Sequence, residues 1–451
     1  MKRFSLLLLA ASSLLWSVVA LGATRPHYGG TLRLTQRETP QALDPVSLVQ
    51  AHSSNICRLL YDTLIVLDNR GQAQPSLAVA WQAETGNQRW RISVRNGVSF
   101  TDGTKLDATA VAASLRAANP DWKVMAGTDT VVIQTAEPHP YLAAELALPR
   151  NAIMHGGQQP SGTGPFSVAQ WTPGKHLSLA ATEQFWNGRP FVDSVELDFG
   201  RNDRDQLALL DLGRTDVVEI APENIRRARA DGRTVVSSSP SELLALFFSA
   251  PPQTDGEVHL RNALALSLDI TAINNVVLQG GGEPTGALLP NWLSGYGFTF
   301  PFQSSPERAR QERALAKQSA PVLLGYDASD PIARTIAERI LLNARDVGIT
   351  LQLTPNGQAG VTLTRIPLSS MDPQTSLSET AKTLKLPVPN FLGDSVPDIY
   401  SVERELLRSH RIIPLIHLRS AIVVSPNVRQ VTLSPDGSLH LDNAWVEATK
   451  P

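Results

Sequence analysis

Nine histidines, one cysteine and a scatter of serines are the residues of this 451-residue chain with the most chemistry to offer. His27, His52, His139, His155, His176, His259, His410, His417 and His440 are dispersed, with no His-x-x-x-His pair and no His-Glu-x-x-His helix. With a single cysteine as well, no protein-built metal site and no cofactor is expected. His155-Gly156-Gly157, with Ser161 nearby, faintly resembles a lipase oxyanion loop. No Gly-x-Ser-x-Gly elbow occurs to hold a serine on a strained strand-to-helix turn, so no catalytic residue is assigned. A secreted serine hydrolase remains a remote alternative. Gly162-Thr163-Gly164 is a poor phosphate cradle, because Ser167 stands where a dinucleotide fingerprint needs its next glycine and no P-loop lysine follows.

Cys57 has Ile56, Leu59 and Leu60 as neighbours, which reads as a small buried hydrophobe on a helix face instead of a reactive thiol. As the only cysteine it excludes an intrachain disulfide, and stability must come from packing. A hydrophobic content of 42% over this length is ample for two or three domains. Forty basic against forty-two acidic residues give a net charge of −2, without the basic footprint of a nucleic-acid binder. Lys2 and Arg3, the apolar run from Phe4 to Leu21 and the small residues after it read as a signal peptide over residues 1–23, cleaved near Leu21 or Thr24. Cys57 lies too far downstream to be a lipidated first residue, so a freely diffusing periplasmic chain is expected.

The elements that must position any site are legible by periodicity. Trp90, Ile92 and Val94, then Val98 and Phe100, alternate on either side of Asn96-Gly97, which predicts a tight hairpin. Asp107 caps a predicted helix carrying Ala110, Val111, Ser114 and Leu115. A long helical run is predicted over Val258 to Leu278, with Gly280 to Gly282 forming a turn. Val322 to Tyr326 reads as a strand, Asp330-Pro331 as a helix cap, Ile332 to Val347 as an amphipathic helix, and Ile349, Leu351 and Leu353 as a second strand. That strand-helix-strand unit implies parallel pairing, with ligands bound beyond the carboxyl ends of the strands. Tyr326 and Asp327 stand at such an end, and Asp327 reads first as a turn residue.

Several segments in order resemble the extracellular solute-binding proteins of family 5, the peptide and nickel receptors of ATP-binding cassette importers. They are YGGTLRLTQRETPQALDP (28–45), YDTL (61–64), WRISVRNGVSFTDGTKLDATAVAASLR (90–116), SGTGPFSVAQWTPGKHLSLAATEQFWNGRPFVDSVELDF (161–199), LLDLGRTDVVEI (209–220) and QGGGEPTGALLP (279–290). VERELLRSHRIIPLIHLRSAIVVSPNVRQV (402–431) continues the series, and Asp436-Gly437 marks the last turn. The resemblance implies an α/β, periplasmic binding protein-like fold of two lobes with a hinge near Ser249 and Val424. It implies a split first domain (28–50 with 160–245 and 425–448), a small inserted domain (51–159) and a third domain (246–424). The implied function is capture of a small peptide or similar polar solute by a monomer that docks on importer permease subunits, with ligand sensing without transport as the alternative. In peptide-binding relatives a carboxylate pairs with the ligand's amino terminus. Aligning Met371-Asp372-Pro373 on the family's Asp-Pro puts Ser369 at that carboxylate and Ile366 at its aromatic wall, so the amine clamp is expected to be missing, with Asp372 or Glu379 as substitutes. Ligand-binding candidates are Arg37, Glu38, His52, Ser249, Tyr326, Ser369 and Asp372.

Overall fold

The computed structural model describes residues 26–156, 161–316, 321–357, 359–391 and 395–447; the expected signal peptide lies outside them. The fold is mixed α/β, as expected. One large sheet runs in the order Leu351–Pro355, Val322–Tyr326, Val361–Pro367, Thr234–Phe248, Ile412–Val424, Val217–Glu219, Thr31–Thr35, Ser194–Asp198, His176–Ala181 and Phe166–Thr172, and Gly282–Pro284 pairs off this path with Ile412–Val424. A separate antiparallel sheet of four strands is made by Ala78–Ala83, Arg89–Val94, Thr130–Gln134 and Lys123–Ala126.

Apolar side chains divide this frame into lobes. Leu32, Leu34, Phe166, Leu177, Val195 and Val424 belong to one core, and Leu246, Leu264, Leu324, Ile336, Ile340 and Leu415 to another. Ile92, Val111, Leu115 and Ile133 fill a third beneath the four-stranded sheet. Two strands cross between the first two cores, Thr234–Phe248 and Ile412–Val424. The strands are antiparallel: in one half the start of the first, Thr234 to Ser237, pairs with the end of the second, Val424 to Ala421, and in the other Glu242 to Phe247 pairs with Leu418 to Ile412. Register irregularities separate the halves at Ser237, Pro240 and Glu242. Proline lacks the N–H a ladder needs, so Pro240 favours a break there. Ser241 Oγ lies 3.0 Å from Ser420 Oγ, and Ser420 N–H donates to Ser238 Oγ at 3.0 Å, so hydroxyls replace part of the ladder.

These are the linking strands expected near Ser249 and Val424, and their register breaks at mid-length instead of at those ends. Ser249 follows the outer end of its strand, its N–H donating to Gly360 O at 3.1 Å, and Val424 pairs inside the sheet with Val217 and Thr234. Because each strand runs unbroken through both halves, its ends lie away from the crossing.

The helix Ala108–Ala118 forms with Asp107 accepting from Ala110 N–H at 2.8 Å, as periodicity predicts. The predicted hairpin does not form. Arg89–Val94 pairs with Ala78–Ala83 and Thr130–Gln134 instead, Trp90 lying opposite Ile133, while Ser99 bridges Lys105 around the Asp102-Gly103 turn. Two longer apolar partners outcompete the local one. Val322–Tyr326 and Leu351–Pro355 are parallel, joined by the helix Ala333–Arg345. Asp330 is not that helix's N-cap, a position held by Ile332; its carboxylate accepts from Ile332 N–H and pairs with Arg365. The Val258–Leu278 run is divided into the helix Asp255–Ser267, a short helix Ile270–Ala272 and a π turn Ile273–Val277.

Candidate ligand-binding site

A cavity of about 1130 Å³ lies between the lobes. One wall carries the carboxyl ends of the parallel strands Thr31–Thr35 and Val217–Glu219, where Thr35 pairs with Val218. The facing wall carries Tyr326 and Asp327, Thr362 to Arg365, and Ser369, and the hinge residues Ser241 and Arg419 to Ala421 run between them. Ligands in α/β sheets bind at such strand ends, because loops there are free to diverge and leave a crevice.

The cavity is rich in charge, and most of its cations are already matched. Arg365 lies 2.9 Å from Glu242 and 2.8 Å from Asp330. Burial disfavours its charge, but the two carboxylates outweigh that and hold its pKa above the usual arginine value. Arg37 pairs with Asp203, and Arg419 with Glu283. Arg150 bridges Glu145, at 2.5 Å, and Glu379. The acids are less evenly served. Glu219 is raised well above the usual carboxyl range by burial first and by the negative charge of Glu38 second, and the Arg37 N–H donates to it at 3.4 Å. Among the described residues neither Glu38 nor Glu219 forms a salt bridge.

Of the seven sequence candidates, Arg37, Glu38, His52, Tyr326 and Ser369 line the cavity. His52 has a left-handed backbone, φ 54°. Ser249 and Asp372 are elsewhere. Asp372 caps the helix Pro373–Thr383, accepting from Thr375 N–H and Oγ1, both at 2.7 Å. Ile366 is buried in a core with Leu243 and Leu377, so it forms no cavity wall. Gln36, Arg150, Glu219 and Arg365 line the cavity and were not singled out from sequence. A usable signal existed for Glu219, a carboxylate ending an otherwise apolar strand, Val217-Val218-Glu219.

Away from the cavity, Ser161 Oγ accepts from Asp102 N–H at 3.0 Å and lies 2.8 Å from Thr101 Oγ1, while His155 Nδ1 lies 3.1 Å from Asp102 Oδ2. The serine hydroxyl is thus tied to the Asp102 turn. Cys57 is buried against Pro149, its thiol pushed up to about 12 by burial, as a packing residue would be. Among the described residues no cluster of three or more His, Cys, Asp or Glu could hold a metal ion.

Two lobes joined by a pair of crossing strands, with a polar cavity at the strand ends between them, define a two-lobed ligand-binding protein. Residues 72–378 match the model of the bacterial extracellular solute-binding proteins, family 5 (middle region). The chain belongs to that family. It is 22% identical over 351 residues to the probable D,D-dipeptide-binding periplasmic protein DdpA of Escherichia coli, covering 70% of this chain and 68% of that one. It is 25% identical over 298 residues to the glutathione-binding protein GsiB of Salmonella paratyphi A, covering 60% of this chain and 58% of GsiB. The matched part therefore spans about six tenths to two thirds of these relatives. A dipeptide-binding protein from Pseudoalteromonas sp. SM9913, solved with Met-Leu, shares the fold with a TM-score of 0.80 at 17% identity, covering 93% of this chain and all of that one.

Proposed function

We propose that this chain captures a small peptide or similar polar solute between its lobes in the periplasm and presents it to the permease subunits of an ATP-binding cassette importer, without catalysing a reaction. The observation that carries this reading is the polar cavity between two lobes connected by strands whose register breaks at the crossing. Closure about that break excludes water, so a few polar groups in the cavity gain strength against a ligand. Dipeptide and glutathione recognition by relatives agrees with a cavity of this size and polarity. The engagement of Ser161 by the Asp102 turn supports binding over hydrolysis. Export would remove residues up to about 23.

Native mass spectrometry of protein purified from periplasm tests the reading. A retained small solute, with a decrease in scattering radius when it is added back to stripped protein, is expected. Protein that retains nothing, and does not compact with any member of a di- to pentapeptide and small-metabolite panel, would sink it.

A further inference from the structure

The carboxyl ends of strands Thr31–Thr35 and Val217–Glu219 bring the side chains of Gln36, Glu38 and Glu219 together, and among the described residues no guanidinium or ammonium forms a salt bridge with either carboxyl. Leu34 pairs with Val217 and Thr35 with Val218, so the next residues, Gln36 and Glu219, are neighbours one step beyond the last paired positions. Gln36 is only 5% exposed, its backbone held by Asp198 O and Arg201 N–H, yet its side-chain Oε1 accepts no hydrogen bond among the described residues. The Glu219 carboxyl lies within hydrogen-bond reach of that of Glu38, so the two share one proton between them instead of a cation. The nearest cation, Arg37, is turned away to Asp203 and offers Glu219 only its backbone N–H. All three residues line the cavity.

Buried acceptors in folded proteins are ordinarily satisfied, and leaving one unmet is unfavourable by about 1–3 kcal/mol. Two adjacent carboxyls with no salt-bridged cation, only the more distant charge of Arg37, add to that, because like charges at close range resist joint ionisation. Several buried or half-buried carboxyls elsewhere in the chain are matched by donors: Glu242 and Asp330 by Arg365, Asp62 by Thr163 and Trp186, and Glu403 by Leu288, Leu289 and Tyr296. We infer that Gln36, Glu38 and Glu219 form a subsite for a cationic nitrogen of the ligand, an ammonium or guanidinium, on the lobe opposite Ser369. This rests on the capture reading above and names the chemistry of the solute. Several N–H donors on one positive centre suit the site, since charge-assisted bonds to carboxylates are about twice as strong as neutral ones.

Calorimetry with two blocked dipeptides of equal shape tests the subsite: N-acetyl-alanyl-arginine, and N-acetyl-alanyl-citrulline, which replaces the guanidinium by a neutral urea. Blocking the amine removes any contribution from the Ser369 wall. The arginine form should bind at least tenfold more tightly, and Glu219→Gln or Glu38→Gln should bring the two toward parity with citrulline binding unchanged. Glu38 is only partly buried, so its variant keeps the test open if the Glu219 variant misfolds. Equal affinities in the wild type, or a preference that survives in the double variant, overturn the subsite while leaving capture intact. If neither probe binds, the solute retained on purification decides: one with a basic nitrogen, lost in the double variant, supports the subsite, and one without a basic nitrogen, or kept by the double variant, overturns it. A protein that binds neither probe and retains no solute counts against capture itself.

Discussion

Asp62 shows how a single buried carboxyl couples the family's sequence signature to stability. Its Oδ2 accepts from Thr163 Oγ1 at 2.9 Å and from Trp186 Nε1 at 2.8 Å, which ties the Gly162–Phe166 turn to the chain near Tyr61. Burial raises its pKa to about 6, against the two hydrogen bonds that favour the ionised form. A carboxyl raised in the folded state binds its proton more tightly there than when unfolded. Stability on its account therefore falls as pH rises from about 4 to about 6, by on the order of 3 kcal/mol. Asp62→Asn keeps the acceptor and removes the charge, so the difference in denaturation midpoint between variant and wild type should shift in the variant's favour across that window. A wild-type loss equal to the variant's would show that Asp62 is not the group responsible. Ser369 lines the cavity, and we propose that it stands where peptide-binding relatives carry an amine-binding carboxylate. An unpaired buried ammonium is unfavourable by about 4 kcal/mol, roughly a thousandfold in affinity. Ordinary free-amine peptides should accordingly gain little from their amino terminus at that wall, and Ser369→Asp should increase their affinity about tenfold in calorimetry. Acetylation of the peptide should abolish the gain.

Among the elements, the Gly-Thr-Gly-Pro turn is fixed by close approach instead of by a ligand. A Cβ on Gly162 would stand 1.9 Å from Leu60 O, and one on Gly164 2.5 Å from Leu60 C, so only glycine lets these backbones meet. Gly162→Ala should lose about 3 kcal/mol or more, read as a lower urea midpoint. An unchanged midpoint would mean the turn can shift without loss. The helix Pro373–Thr383 acts similarly at a distance from its own core. Its Glu379 and Lys382 reach Arg150 and Glu145 across the cleft, and Ser378 Oγ donates to Tyr141 Oη at 3.2 Å. Burial opposes ionisation of Glu145, but the His139 contact, Lys382 and Arg150 outweigh it and hold its pKa at about 2. Because that value is depressed, the stabilisation is present above about pH 4.5 and is lost as pH falls toward 2.

On the scale of the whole molecule, this charge cluster, the Tyr141–Phe391 ring contact and the register break near Ser238 to Ser241 are among the places where the lobes meet. On the capture reading, the charge cluster is a contact that opening would break, and the strand crossing is where opening would turn. Arg150→Ala leaves Glu145 and Glu379 with Lys382 alone as a strong cation, so stability should drop by about 2–3 kcal/mol. Ligand-free scattering should show a larger radius of gyration than wild type, and saturation with the retained solute should reduce the difference. An identical radius with and without the substitution would show that the cluster does not hold the lobes together.

Order of motifs, apolar periodicity and turn chemistry were enough to assign the family and the mixed α/β class. They also located the Asp107 cap, the parallel Val322–Tyr326 and Leu351–Pro355 pair, and Cys57 as a core residue. Those features depend on residues near one another in sequence, or on patterns that survive in a linear string. Arg37, Glu38, His52, Tyr326 and Ser369 were also within reach, because strand ends and family motifs mark where a cavity opens. What lay beyond the string was pairing at long range. Trp90 chose Ile133 over its local hairpin partner, Asp330 added Arg365 to its contact with Ile332 N–H, and the register break fell in the middle of the two strands that link the lobes. The meeting of Gln36, Glu38 and Glu219 belongs with these. Glu219 stands 181 residues after Glu38, and only parallel pairing of their strands makes one site of them.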